Sequence, residues 1–206
     1  QWIGLATLAL LGGACTSKIE KHGPVARAAS VALVPAGSRA AVREKAAELE
    51  AQGAVRRGGL YLREIEGDTY LFRYLEGARS TGAWNEELAP LVEPLPEAAR
   101  KGLLFEPMER IFYEPVAAGK TPEASVRRIA MFTGLKPEKE AHYRLLHDNP
   151  WPDVVAAIRQ ANFRHFSIFL EEINGKLYLF GWLEHVGSNL AADDAANKKD
   201  PASIRW

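Results

Sequence analysis

The stretch Leu60-Tyr-Leu-Arg-Glu-Ile-Glu-Gly-Asp-Thr-Tyr-Leu-Phe-Arg-Tyr-Leu-Glu76 recurs 108 positions later as Ile168-Phe-Leu-Glu-Glu-Ile-Asn-Gly-Lys-Leu-Tyr-Leu-Phe-Gly-Trp-Leu-Glu184, and nine of the seventeen positions are identical. Each copy places a turn, Glu66-Gly67-Asp68 or Asn174-Gly175-Lys176, between two runs rich in apolar and aromatic residues. Asn-Gly favours a two-residue hairpin turn because both positions tolerate positive φ. The chain therefore predicts an internal repeat, with one β-hairpin in each copy.

A short apolar strand and a helix precede each hairpin: Val31–Val34 with Ser38–Gln52, and Ile129–Thr133 with Pro137–Ala161. The second helix is interrupted at Asn149-Pro150-Trp151-Pro152, because proline cannot continue the helical hydrogen bonding. A helix around 84–91 and a strand at 110–113 follow the first hairpin. This order predicts an α+β fold of two tandem ferredoxin-like repeats. The two repeats are expected to pack as an intrachain pseudo-dimer, a fused dimeric α/β barrel with a ligand space inside, so that a monomer would suffice.

The repeat also predicts how the chain is divided. Only 22 residues follow Glu184 up to Trp206, whereas 39 separate Glu76 from Pro115, so the second repeat is predicted to be C-terminally incomplete. The predicted segments are a signal or lipobox segment 1–15, a tether 16–29, a non-catalytic first repeat 30–115, a linker 116–126 and a second repeat 127–206.

Charge and cysteine content exclude several classes of function. Lysine plus arginine and aspartate plus glutamate both number 26, and no long basic run occurs, so a nucleic-acid partner is not expected. The single cysteine, Cys15, excludes an intrachain disulfide and a cysteine-based zinc site. No metal site is predicted.

The residues before Cys15 form an apolar run, Trp2–Ala14, which is too short for a membrane span and suits the hydrophobic part of a signal peptide. Leu11-Gly12-Gly13-Ala14-Cys15 resembles a bacterial lipobox, in which the cysteine is lipidated, although the leucine lies four residues before the cysteine rather than three. The sequence thus predicts an exported lipoprotein, anchored to the membrane at Cys15 and facing the periplasm or the cell exterior. The alternative is a cytoplasmic protein in which this run is a buried strand or helix.

Tyr143, His147 and Trp151 follow one another at four-residue intervals. On a helix, this spacing places the three side chains on one face, with the imidazole between two aromatic groups. Imidazole takes and gives protons near neutral pH, and aromatic rings suit the apolar face of a sugar. The pattern predicts a site for a small-molecule sugar.

The stretch Arg128–Glu184 resembles the L-rhamnose mutarotases, ferredoxin-like isomerases that interconvert the α and β anomers of L-rhamnose. The shared features are the strand Arg128-Ile-Ala-Met-Phe132, the helix with Glu140, Tyr143 and His147, the Trp151-Pro152-Asp153 step and the hairpin that begins near Phe166. Arg205-Trp206 is similar to the start of the family's tryptophan-bearing second helix. The resemblance implies an enzyme without a cofactor, with His147 as acid and base and Tyr143 as a hydroxyl that binds the sugar or shuttles protons. It also implies that Trp151, Phe166 and Trp206 bind the substrate.

Phe166 stands where the family usually has a tyrosine, so the substrate could be L-rhamnose or a related 6-deoxy hexose. The first repeat has no histidine or tryptophan between Arg27 and Leu60, which predicts one active site per chain. Two other functions remain open: a non-catalytic module that binds a sugar or another small ligand, and a cofactor-free monooxygenase. The recurring carboxylates, two in each repeat, could be an acid/base pair, but their places at strand ends favour solvated edges; they are Glu64, Glu76, Glu172 and Glu184.

Overall fold

The computed structural model describes residues 27–52, 57–76, 81–114 and 126–206. The predicted signal segment with Cys15, the tether up to residue 26 and the predicted linker 116–126 except Val126 lie outside these ranges. The first strand begins at Arg27, so residues 27–29, predicted as tether, belong to the fold. In the described ranges, no helix has both the length and the apolar character needed to cross a membrane.

The first half of the chain forms an antiparallel sheet that helices cover on one face. The elements of this half of the chain are β1 (Arg27–Val34), α1 (Arg39–Ala51), β2 (Arg57–Ile65), β3 (Asp68–Glu76), α2 (Thr81–Leu88), α3 (Pro96–Arg100), β4 (Glu106–Pro107) and β5 (Glu109–Tyr113). The first sheet has the order β2-β3-β1-β4. Helix α1 packs on it through Val42, Ala46 and Leu49, whose spacing of three and four residues places them on one face.

The second half of the chain also contains a strand, helices and a hairpin. Its elements are β6 (Arg127–Leu135), α4 (Glu140–Asp148), α5 (Pro152–Gln160), β7 (Phe163–Ile173), β8 (Lys176–His185), α6 (Leu190–Lys199) and α7 (Pro201–Arg205). The second sheet has the order β5-β7-β8-β6, and its strand pairs are antiparallel. Two antiparallel sheets with helices make a mixed α+β architecture that is consistent with a ferredoxin-like fold.

Strand β5 joins the two halves. The sequence predicts the strand at 110–113 as the last strand of the first repeat, but in the structure it pairs with β7 of the second sheet. The residues just before it form β4, which pairs with β1, so the run from Glu106 to Tyr113 passes from one sheet to the other. The second sheet has four strands in the described part of the chain because β5 is added beside β7. Beside β6, where the first sheet has β4 next to β1, the described residues place no strand, and the predicted C-terminal incompleteness stays a prediction.

Both predicted hairpins are present, and their turns have the expected backbone. Glu66 and Gly67 have φ of 53° and 95°, and Asn174 and Gly175 have φ of 54° and 75°. Two successive residues with positive φ match the right-handed twist of the strands they connect. This geometry explains why glycine occupies the second turn position of both copies.

The two sheets face each other through a layer of aromatic side chains. Phe72 stacks on Phe180 at a centroid distance of 5.3 Å, and Tyr74 stacks on Trp182 at 4.0 Å. The Trp182 indole Nε1 donates a hydrogen bond of 2.9 Å to the Tyr61 hydroxyl oxygen. Large rings fill much of the space between the sheets, and a cavity of about 460 Å³ remains there, lined by Tyr61, Phe72, Phe132 and Phe180 among others. The predicted ligand space inside the barrel stays a prediction. The predicted site residues Tyr143 and His147 lie outside this layer, on helix α4.

Candidate functional site

Helix α4 brings together two of the predicted site residues. Tyr143 and His147 lie one turn apart, and their rings stack at a centroid distance of 4.0 Å with an interplanar angle of 27°. His147 is 7% exposed, while Tyr143 is half-buried. The four-residue spacing thus places the phenol against the imidazole, as the sequence predicts.

Trp206 covers the other side of the imidazole. It follows α7, its ring centroid lies 4.5 Å from that of His147, and its backbone N–H donates a 3.0 Å hydrogen bond to the carbonyl oxygen of Ala202. The indole Nε1 of Trp206 is buried and has no hydrogen-bond partner in the described part of the chain. A buried indole N–H usually has an acceptor, and this donor has none among the described residues.

Phe112 completes the ring cluster around His147. Its ring meets the imidazole edge-on, with a centroid distance of 5.3 Å and an interplanar angle of 84°. Phe112 lies on β5, so the first half of the chain supplies one wall of a site whose other residues come from the second half. The sequence analysis missed Phe112, because no local pattern shows that β5 pairs with the second hairpin.

The hydrogen bonding of His147 defines its tautomer. Its Nδ1 lies 2.7 Å from the carbonyl oxygen of Tyr143, and because a carbonyl only accepts, Nδ1 carries the hydrogen. In the neutral ring, Nε2 then holds the free lone pair. Burial lowers the pKa of His147 from its usual value of 6.5, which favours this neutral form at pH 7. His147 is thus prepared to accept a proton at Nε2.

The Tyr143 hydroxyl remains protonated over the whole physiological range. Burial raises its pKa to about 12. A phenol with this pKa is a hydrogen-bond donor and a poor source of free protons at pH 7. The arrangement pairs one group that accepts a proton with a neighbour that donates a hydrogen bond.

Trp151 does not occupy the place that the sequence predicts for it. It is 40% exposed, and the aromatic partners of His147 in the described residues are Tyr143, Phe112 and Trp206. The helical spacing fails because α4 ends at Asp148 and Trp151 has extended backbone, with φ −62° and ψ 136°, before Pro152 begins α5. The prediction that Trp151 flanks the imidazole is wrong, and Trp206 takes that position.

Phe166 connects the ring cluster with a cavity. Its ring lies 5.6 Å from that of Phe112 in an edge-on arrangement. It also lines a cavity of about 840 Å³ between the sheet and α6, with Ile129, Met131 and Leu190 among the other lining residues. Gly181 permits the close approach of two side chains, because an added Cβ would lie 3.1 Å from the Met131 Cε and 3.5 Å from the Phe166 Cε2.

A buried polar network fixes helix α6 over this cavity. His185 is fully buried, and its Nε2 lies 2.8 Å from the Asp193 Oδ2. The amide Nδ2 of Asn162 donates a hydrogen bond of 3.0 Å to the same oxygen. Asp193 lies in the first turn of α6, so this network holds the start of the helix against the sheet.

Of the recurring carboxylates, Glu64 and Glu172 are exposed as predicted, whereas Glu76 and Glu184 are not solvated. Glu76 Oε1 lies 3.1 Å from Arg27 Nη2, and both side chains are less than one-tenth exposed. Glu184 is 3% exposed, with its Oε1 3.9 Å from Arg128 Nε. In both cases the arginine stands opposite the glutamate on the neighbouring strand, which the sequence spacing does not show.

In the described ranges, no group of three or more histidine, cysteine, aspartate and glutamate side chains could hold a metal ion.

Comparison with known proteins supports the resemblance to one family. Residues 128–206 match the family model for L-rhamnose mutarotase. The chain is 39% identical over 54 residues to an L-rhamnose mutarotase from Leptothrix cholodnii, a match that covers 26% of this chain and 51% of the relative. It is 31% identical over 55 residues to one from Bacillus subtilis, covering 27% and 53%, and 34% identical over 73 residues to one from Mesorhizobium japonicum, covering 35% and 64%.

These matches confirm the predicted resemblance for the second half of the chain. The chain spans about half the length of the first two of these relatives. A solved structure of a proposed monooxygenase from Fusobacterium nucleatum has a TM-score of 0.45 and 7% identity, with 89% of this chain and 85% of that chain covered. A likeness at this level carries no argument about function.

Proposed function

We propose that this chain is a sugar mutarotase, an isomerase that interconverts the α and β anomers of L-rhamnose or a related 6-deoxy hexose. The observation that carries the proposal is the position of His147, which lies between the rings of Tyr143 and Trp206 with Nδ1 fixed by a backbone carbonyl. The family match over residues 128–206, which includes these three residues, supports it.

The proposed reaction needs one group that both removes and returns a proton. Nε2 of His147 takes the proton of the anomeric hydroxyl, the bond from the anomeric carbon to the ring oxygen breaks, and the imidazolium protonates the ring oxygen. The open aldehyde rotates about one bond, and the same steps in reverse close the ring on its other face. Because the anomeric and ring oxygens are attached to one carbon, a single imidazole can reach both, and a positioned acid/base of this kind contributes about 10²- to 10⁴-fold in rate.

The neighbouring groups would bind and polarise the sugar. The Tyr143 hydroxyl, protonated because burial raises its pKa, donates a hydrogen bond to an oxygen at the reacting carbon. The free Nε1–H of Trp206 donates to a second sugar oxygen. Phe112 and Phe166 give an apolar wall for the methyl group of a 6-deoxy sugar. No cofactor takes part in these steps.

We propose that the fold is a fusion of two ferredoxin-like repeats, in which the first is not catalytic. The first half places no histidine on the counterpart of α4, and it contributes Phe112 to the site of the second half. This arrangement gives one site per chain and would allow a monomer to act alone. Export as a lipoprotein anchored at Cys15 also remains a proposal, supported by the apolar run that precedes this cysteine.

The proposal is tested by two-dimensional exchange NMR of L-rhamnose at its anomeric protons. Catalysis gives exchange cross-peaks between the two anomers that grow with protein concentration. Broadening of the sugar signals without added exchange would show a binding module instead. Oxygen consumption with a phenolic substrate, in the absence of anomer exchange, would point to a monooxygenase.

A further inference from the structure

Arg73 is a buried cation in the first half of the chain. It lies on β3, is 6% exposed, and corresponds to Gly181 in the second copy of the repeated sequence. The strand registers agree with this correspondence, since Ser30 of β1 stands opposite Arg73 and Met131 of β6 stands opposite Gly181. The Arg73 side chain therefore occupies, in the first half, the place that the side chains of Met131 and Phe166 approach at Gly181 in the second half.

Among the described residues, the guanidinium group of Arg73 has only uncharged partners. Its Nε donates a 3.0 Å hydrogen bond to the Ser30 hydroxyl oxygen, and its Nη1 donates to the side-chain oxygen of Asn85. Its Cζ lies 4.0 Å above the ring centre of Phe105. Among the residues that the structure describes, no carboxylate forms an ion pair with it.

A buried positive charge without a counterion is unfavourable, and buried charges in proteins are normally paired. Burial lowers the pKa of Arg73 only to about 10, so the group still carries its charge at pH 7. The stacking on Phe105 offsets part of the desolvation cost. The remaining imbalance favours an anion beside this guanidinium.

We propose that Arg73 anchors a second ligand site that binds a small oxyanion, a carboxylate or a phosphate group. The planar guanidinium can hold two oxygens of such a group through parallel N–H donors. The Ser30 hydroxyl and the Asn85 amide NH₂ add two further donors next to it. Asn85 is partly exposed at the surface of α2, so the ligand enters from that side.

The two halves would then bind ligands of different charge. The second half offers the neutral, aromatic surroundings of His147, whereas the first half offers a fixed cation. This site does not depend on the mutarotase proposal, because none of its residues contacts the ring cluster around His147.

The test is NMR of the arginine Nε–Hε signals during titration with sodium acetate or sodium phosphate at pH 7 and constant ionic strength. The Arg73 signal is identified by its loss in Arg73→Met. Its chemical shift is expected to change and to reach a plateau with at least one of the two anions. The anion that produces this change shows whether the site takes a carboxylate or a phosphate group. At a concentration about ten times its dissociation constant, the same anion should raise the melting temperature by about 3 °C. Arg43→Met removes an exposed arginine of α1 and is the control. In this variant the anion should still shift the Arg73 signal and raise the melting temperature to the same extent.

An Arg73 signal that does not saturate with either anion would overturn the proposal. A rise in melting temperature of the same size in Arg73→Met would also overturn it. If Arg73→Met does not fold, Asn85→Leu serves instead and should weaken anion binding about tenfold, since it removes one donor near the ligand. L-rhamnose should leave the Arg73 signal unchanged.

Discussion

The ring of Phe112 meets the imidazole of His147 edge-on, although the two residues belong to different halves of the chain. The contact exists because β5 leaves the first sheet and pairs with β7, which brings Phe112 under α4. The first half is therefore part of the candidate site and not only a support for it.

Phe112→Leu tests this contribution. We expect the rate of anomer exchange to fall about tenfold, equal to about 1.4 kcal/mol, because the ring edge that orients the imidazole is lost. The measurement is exchange NMR at saturating L-rhamnose, with the melting temperature recorded in parallel. Phe105→Leu is the matched control, a buried phenylalanine of the first half that does not touch the ring cluster. Equal losses of activity in the two variants would mean that Phe112 acts only through stability.

The pH dependence of the rate follows from the burial of His147. Its pKa is lowered from 6.5, so the imidazole stays neutral below the pH at which a free histidine protonates. We expect the rate of anomer exchange to rise with pH through a midpoint below 6.5 and to be constant from there to neutral pH. A midpoint above 6.5 would contradict the lowered pKa.

The same shift predicts an effect on stability. The unfolded chain takes up a proton at His147 more readily than the folded chain, so protonation favours unfolding. This contribution to stability is present above pH 6.5 and is lost as the pH falls below that value. Urea unfolding at several pH values should show that the free energy of unfolding decreases between pH 7 and pH 5. His147→Gln should make this decrease smaller.

Trp206 and Trp151 give opposite predictions. Trp206→Phe keeps an aromatic ring beside His147 and removes the free Nε1–H, so L-rhamnose binding should weaken about tenfold. Trp151→Phe should leave binding unchanged, since Trp151 is exposed and does not contact the imidazole ring. Titration calorimetry of both variants checks the pair. If Trp151→Phe weakened L-rhamnose binding and Trp206→Phe did not, the result would support the arrangement predicted from the sequence, in which Trp151 lies beside His147.

The packing of the two sheets predicts the effect of Tyr61→Phe. This change leaves the indole N–H of Trp182 without its acceptor in a buried layer, and it should lower the free energy of unfolding by about 1–3 kcal/mol. Tyr178→Phe is the control, since the Tyr178 ring packs in the same layer. Urea denaturation of both variants measures the loss in the free energy of unfolding. A similarly small loss in Tyr61→Phe and Tyr178→Phe would argue against the Tyr61–Trp182 hydrogen bond.

Local features of the fold were predictable from the sequence. The hairpins follow from turns such as Asn174-Gly175, and the break between α4 and α5 follows from Pro150 and Pro152. The stacking of Tyr143 on His147 follows from a spacing of one helical turn. In each case the cause lies within a few residues, so that sequence and structure agree.

Long-range pairing was not predictable in the same way. The membership of β5 in the second sheet depends on the competition between two sheet edges, which no local pattern records. The burial of Glu76 and Glu184 depends on arginines that stand opposite them on neighbouring strands. For this reason Phe112 was missed, and Trp206 was predicted to bind the substrate but not to lie beside the His147 ring.

The most direct test of the central claim compares two histidines of the same helix. His147 is buried in the ring cluster, whereas His142 is exposed on α4. Exchange NMR of L-rhamnose at pH 7 should show acceleration of anomer exchange by the unchanged protein and by His142→Gln. The acceleration should fall by about 10² to 10⁴ in His147→Gln, because Nε2 is the base. Acceleration by His147→Gln at the unchanged rate, or none by the unchanged protein, would contradict the proposal.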